Sequence, residues 1–211
     1  MLRRTWISAV GLTLAAAALV TAPALRAEPV GAEAFVKQLS AEVMDTAKND
    51  KSIQNGDISK IRSLVDGKVM PHVNFERMTA MSVGPQWRSA TPEQKKRMLE
   101  EFKTLMINTY SGALTQVKDQ NVVVKPLRAA ADATELVVKS EVRGKGDPIQ
   151  LDYRLEKAGD GWKIYDVNVG GFWLVEAYKG QFAKDLSAGG LDALITRLGE
   201  KNKSLAAAPK S

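Results

Sequence analysis

Apolar side chains recur every three to four positions through the first half of the chain and every second position through much of the region 121–169, a change of period that predicts helices and then a sheet. Phe35, Leu39, Val43 and Ala47 set one stripe on a helix over 32–48, and Ile58, Ile61, Leu64, Val65 and Val69 set another behind a cap at Asp57, with Pro71 ending it. A third, short helix capped by Asn74 carries Phe75, Met78, Met81 and Val83 up to the Gly84-Pro85 break. The fourth announces its own start. TPEQ, Thr91 to Gln94, is a capping box with proline at the first helical position. Behind it Met98, Leu99, Phe102, Leu105, Met106, Tyr110, Ala113, Leu114 and Val117 form a stripe wide enough to require cover.

Four segments then read as a meander: NVVVKPL, ATELVVKSEVR, DPIQLDYRLEK and GWKIYDVNV, joined by turns rich in Gly and Asp. Ile149, Leu151, Tyr153 and Leu155 alternate with Gln150, Asp152, Arg154 and Glu156, which gives that strand one wet face. Strict alternation in the last strand puts Trp162 and Ile164 on one face and Tyr165, Val167 and Val169 on the other. AGDG joins the last two strands as a hairpin, and Gly170-Gly171 permits a sharp exit into a helix bearing Leu174, Val175, Tyr178, Phe182 and Leu186. Leu191, Leu194, Ile195 and Leu198 mark one more helix. The fold expected is α+β: helices over 32–117, an antiparallel four-stranded sheet over 121–169 and terminal helices over 172–203, in a single domain spanning 28–203. The end SLAAAPKS, 204–211, reads as a disordered tail.

The first 27 residues stand apart. Arg3 and Arg4 precede an apolar run from Trp6 to Val20 and then small residues through Ala27, the pattern of a secretory signal peptide cleaved after Ala24 or Ala27. Its apolar core is short of the roughly 20 residues a spanning helix needs. Removing this segment takes away three arginines and no acids, so the formal charge of +6 falls to +3. Such a balance suits solubility and a mild attraction to anionic headgroups, not the clustered basic stripe of a nucleic-acid binder. An exported chain with no cysteine must draw its stability from a real core.

Catalytic constellations are hard to assemble from these residues. His72 is the single histidine, so a His-rich metal site or a Ser-His-Asp triad would have to rest on it alone, its place just after Pro71 in a helix-to-helix link favours an ordinary loop or interface residue, and no phosphate-cradling glycine loop is present. Asp166 sits within an apolar run, where burial would raise its pKa, and a structural role for it outweighs a catalytic one. Lys95-Lys96-Arg97 reads as the solvated face of the fourth helix, with partner docking as the sharper alternative. Arg128, Arg143 and Lys145, near strand ends, could meet a phosphate at a pocket mouth.

Sixteen residues in order carry a family likeness: Val83, Gly84, Trp87, Arg88, Thr91, Gln94, Phe102, Thr109 and Tyr110, then Gly161, Trp162, Lys163, Tyr165, Asp166, Tyr178 and Phe182. In these the chain resembles the MlaC family of periplasmic phospholipid-binding proteins, also called toluene-tolerance auxiliary proteins. It departs from that pattern at Trp173, Ala177 and Lys179, where the family commonly has Ser, Asn and Arg. The resemblance implies an NTF2-like antiparallel four-stranded sheet wrapped on helices with a helical subdomain, enclosing a cavity for acyl chains. It further implies a monomeric carrier in the periplasm, with phospholipid as cargo, no cofactor or metal, and no nucleic acid. The partners it implies are an inner-membrane ABC transporter with an MCE-domain ring and an outer-membrane lipoprotein-porin complex, between which lipid is shuttled to maintain outer-membrane asymmetry, with only transient membrane proximity.

On that reading Phe102, Leu105, Met106 and Tyr110 form a helix wall. Leu136, Val138, Val142, Leu151, Tyr153, Val167 and Val169 form a sheet wall opposite, with Phe172, Leu174 and Tyr178 near the cover. Two other classes compete. One is an enzyme on the same fold pairing Asp166 with Tyr165 or Tyr153 on a small apolar substrate, and the other an envelope adaptor with a solid core.

Overall fold

The computed structural model describes residues 31–130 and 132–207; the signal segment and the last four residues of the expected tail lie outside them. Local caps set most helix starts. Asp50 accepts the Ser52 amide at 2.8 Å and so begins the short α2 (Lys51–Gln54) directly after α1 (Ala32–Asn49). Asp57 begins α3 (Ile58–Leu64) by accepting the Ser59 amide at 2.9 Å, and Asn74 begins α4 (Phe75–Val83) by accepting the Arg77 amide at 3.0 Å. After the short α5 (Gln86–Ser89), Thr91 and Gln94 close the reciprocal capping box that opens α6 (Pro92–Thr115).

The second expected helix does not stay α-helical to Val69. It widens into a π turn at Val65–Val69 and tightens into a 3-10 turn at Met70–His72. Pro71 has no amide to donate and its ring crowds the carbonyl four residues back, so the regular ladder cannot pass through it.

The sheet is antiparallel, with its strands running side by side from β1 (Asn121–Val124) to β6 (Phe172–Trp173). The expected second strand appears as two pieces, β2 (Glu135–Val138) and β3 (Ser140–Arg143), both paired in one continuous register with β4 (Ile149–Ala158). At the break the Asp152 carboxylate takes the Ser140 amide at 2.9 Å while the Ser140 hydroxyl donates to the Leu151 carbonyl, so side chains replace the ladder bonds there. β5 (Gly161–Val169) pairs with β4 across a bulge, because Leu155 faces Ile164 whereas Arg154 faces Asp166. Tyr165 is the extra residue.

That bulge overturns the expected alternation. Ile164, Val167 and Val169 share one face, and Tyr165 joins Asp166 on the other. Gly170 and Gly171, at φ of 60° and 96°, form a two-residue hairpin turn that brings Phe172 opposite Val169, so the chain makes β6 before the last helix begins at Leu174.

α7 (Leu174–Ala207) is two helices joined at Gly189-Gly190, where Gly190 (φ 68°, ψ −158°) occupies backbone space that only glycine adopts readily. Its second half continues to Ala207, so the expected tail is helical in its first four residues. No helix of the described residues is long and apolar enough to cross a membrane.

Three packed cores result. In the first, Phe102 of α6 is wholly buried with its ring 4.9 Å from Tyr178, 5.3 Å from Phe182 and 5.4 Å from Phe75, joining α4, α6 and both halves of α7. In the second, Ala32, Val36 and Leu39 of α1 lie on Val138, Leu155 and Ile164 of the sheet. In the third, Ala47, Ile53, Ile61 and Leu64 meet Ile107 and Val117. α6 thus packs chiefly against α7, α3 and α4, while α1 lies on β1 and β2, and α4 and α7 meet β5.

Candidate functional site

The strand registers stack the apolar face of the sheet into four rows. Leu136, Leu155 and Ile164 form the first, and Val138, Tyr153 and Val167 the second. Leu151, Val169 and Phe172 form the third, with Ser140 beside Leu151, and Val142 with Ile149 the fourth. Burial falls away along this series. Leu155 and Ile164 are packed under α1, Tyr153, Val167, Leu151, Val169 and Val142 are half-buried, and Ile149 and Phe172 stand 54% and 75% exposed. Val142 and Leu151 belong to none of the three cores. The face is therefore largely apolar, sealed under α1 at one end, backed by the helical core at Val167 and Val169, and least covered at Ile149 and Phe172.

The residues expected to hold acyl chains divide accordingly. Phe102, Leu105, Leu174 and Tyr178 are built into the helical core, and Val138 is sealed against α1. Met106, Tyr110, Leu136, Val142, Leu151, Tyr153, Val167 and Val169 keep part of their surface open. Phe172, expected near the cover, instead projects from the β5–β6 hairpin.

Two phenols bring polarity into this apolar region. The Tyr153 hydroxyl lies beside Ser40 and Ser140, and burial pushes its pKa up. The Tyr178 hydroxyl lies beside Tyr110 and Thr109, and burial pushes its pKa well above the ordinary phenol value. Both stay neutral at physiological pH, able to donate one hydrogen bond each but not to act as bases. Ser40, Ser140 and Thr109 were not legible as site residues, since nothing local in the sequence sets them opposite a tyrosine on another element.

The opposite face holds the charge. Asp166, with no exposure, accepts the amides of Val167 at 2.9 Å and Val175 at 3.0 Å through one oxygen, and Arg154 at 2.9 Å through the other. Arg154 lies over the Trp173 ring at 4.1 Å. Burial is the main influence on the Asp166 carboxyl and raises its pKa. Arg77 lies over the Tyr165 ring at 3.7 Å and bonds both Glu135, at 2.7 Å, and Glu156. That guanidinium holds the Glu135 carboxyl below the ordinary range.

These contacts separate the groups an enzyme would need together. Tyr165 donates to Glu135 at 3.1 Å, not to Asp166, and Tyr153 lies on the other face of the sheet from Asp166. His72 packs edge-on against the Phe35 ring at 5.6 Å. Among the described residues no cluster of His, Asp and Glu could hold a metal ion. The basic run of α6 is solvated, except that Lys95 reaches over the Trp87 ring at 5.6 Å. Arg143 pairs with Glu141, and Lys145, 92% exposed, lies 3.9 Å from Asp119. Charged side chains also line a depression of about 360 Å³ on the polar face, among them Lys125, Lys139, Glu141 and Asp152, a setting unsuited to hydrocarbon.

Known proteins share this architecture. The family model described as MlaC protein matches residues 37–200. The intermembrane phospholipid transport system binding protein MlaC of Haemophilus influenzae is 23% identical over 168 residues, 78% of this chain and 78% of that one. The toluene tolerance protein ttg2D of Pseudomonas putida is 33% identical over 106 residues, 50% of this chain and 49% of that one. Among solved structures, a phospholipid-binding protein from Ralstonia solanacearum, in complex with a phospholipid, is 46% identical and superposes with a TM-score of 0.81, covering 83% of this chain and 98% of that one.

Proposed function

Because the chain belongs to the MlaC family, we propose that it is a non-enzymatic carrier that holds the acyl chains of a phospholipid against the partly covered apolar face of its sheet. One observation carries the reading: a relative nearly half identical and matched over almost its full length was solved with a phospholipid bound. The half-buried residues Met106, Tyr110, Leu151, Tyr153, Val167 and Val169 would meet the chains, while Phe102, Leu105, Leu174 and Tyr178 support them from behind.

The physical need is plain. Two acyl chains hold on the order of 30 methylenes, and at about 0.8 kcal/mol each their exposure to water would cost roughly 24 kcal/mol. A carrier must replace membrane contacts with apolar walls of its own, so that exchange is nearly neutral in free energy. Flexible Met106 suits chains of differing length and unsaturation. Tyr153 and Tyr178, neutral and tethered to hydroxyls, add donors without adding charge. The reading extends to a monomer working in the periplasm with no cofactor, exchanging lipid with an inner-membrane ABC transporter bearing an MCE-domain ring and an outer-membrane lipoprotein-porin complex.

Solvent extraction of the purified protein followed by mass spectrometry tests it. Co-purified phospholipid near one molecule per chain is the expected result. Protein that is folded yet free of lipid, and that takes none up from vesicles, would overturn the carrier reading.

A further inference from the structure

The described residues expose three large apolar side chains, Val137, Ile149 and Phe172. Ile149 and Phe172 stand together at one end of the sheet and on its apolar face. Phe172 is paired with Val169, which is paired with Leu151, and Ile149 is the next residue along β4 on that same face. No break in apolar character separates these two from the half-buried rows behind them. The Gly170-Gly171 turn holds Phe172 out from the body of the fold, at 75% exposure.

We propose that this rim is a bilayer-contacting surface, where Ile149 and Phe172 meet membrane hydrocarbon while an acyl chain passes between the membrane and the apolar face. The inference rests on the carrier reading and adds to it a place and a partner. Continuity fixes the occupant. A chain leaving a bilayer is costly to wet, and a strip that is apolar from its exposed edge to its covered end lets the chain move without crossing water. The surrounding charge favours a lipid surface over a charged protein. Arg143 and Lys125 share Glu141, and Lys145 lies 3.9 Å from Asp119, so the charges beside the rim are of mixed sign and form no block that would select an acidic or basic partner.

The absence of native cysteine gives a clean test, because Phe172→Cys supplies a single labelling site on the full mature chain. A polarity-sensitive fluorophore there should shift to the blue on mixed phosphatidylethanolamine–phosphatidylglycerol vesicles and be quenched by brominated acyl chains. In parallel, Phe172→Asp and Ile149→Asp should slow lipid transfer between such vesicles about tenfold or more, since each removes an apolar contact of that worth. Both sites are exposed, so thermal melts and co-purified lipid content should stay at wild-type values, and Lys96→Glu should leave transfer unchanged.

A label that stays in water, or aspartate variants that transfer lipid at the wild-type rate, would overturn the rim proposal while leaving the carrier reading intact. Wild-type protein that neither co-purifies with lipid nor transfers it would defeat the carrier reading, and the rim with it.

Discussion

The Asp166 carboxylate accepts the Val175 amide at 3.0 Å, so a side chain of β5 satisfies the first turn of α7 from another element. Burial dominates this group and raises its pKa above the ordinary aspartate value. Between those two values the folded protein holds a proton that the unfolded chain has released. The stability this contributes is complete below the ordinary value and is lost as pH rises through the raised one. Urea melts of wild type and Asp166→Asn across that window should show the difference moving in the variant's favour as pH rises. A difference independent of pH would refute the assignment.

Arg154 compensates Asp166 and packs on Trp173. Arg154→Met leaves a fully buried carboxylate without its cation and should cost about 2–4 kcal/mol, less than a wholly buried pair because the guanidinium is partly solvated. Adding Asp166→Asn should recover much of that loss. Purely additive effects in the denaturant double-mutant cycle would show that the pair is not coupled.

A charge placed along the apolar face should act differently by row. Leu155→Glu, fully buried under α1, should unfold the domain or lower its melting temperature sharply. Leu151→Glu, half-buried and outside the three cores, should leave a folded protein whose circular dichroism is unchanged and whose bound phospholipid is largely lost. Full lipid loading in folded Leu151→Glu would remove that residue from the proposed wall.

Thr91 accepts the Gln94 amide at 3.2 Å, and Gln94 returns the bond to the Thr91 amide at 2.9 Å. Thr91→Ala should therefore cost about 1 kcal/mol of unfolding free energy, with lipid content untouched. Gln94→Ala should cost more, because the same side chain also donates to Asp192 at 2.9 Å and ties α6 to the second half of α7.

What could be read in advance was whatever a few adjacent residues decide. Asp57, Asn74 and Thr91 cap the helices they precede because a cap is a contact over two or three residues. The alternation of Leu151, Tyr153 and Leu155 settled their shared face for the same reason. Features fixed by a distant partner were not legible. The pause at Lys139 depends on Asp152 reaching the Ser140 amide, and the clasp of Arg77 depends on Glu135, Glu156 and Tyr165 arriving from three strands. Gly170-Gly171 was legible as a turn, but whether it led to a helix or to a hairpin was decided by Phe172 finding Val169. The site suffered most, since sequence marks Phe102 and Leu151 alike as apolar and only packing separates a sealed ring from an open one.

The surplus residue at Tyr165 adds a ring to the charged flank of the last long strand without moving either neighbour from its own side. Deleting it would leave Ile164 opposite Leu155 and Asp166 opposite Arg154 in a regular pleat, at the cost only of the phenol that Arg77 lies over and Glu135 accepts from. Related chains one residue shorter between Ile164 and Asp166 should keep both flanks in place and lack the ring on which the Arg77 guanidinium rests.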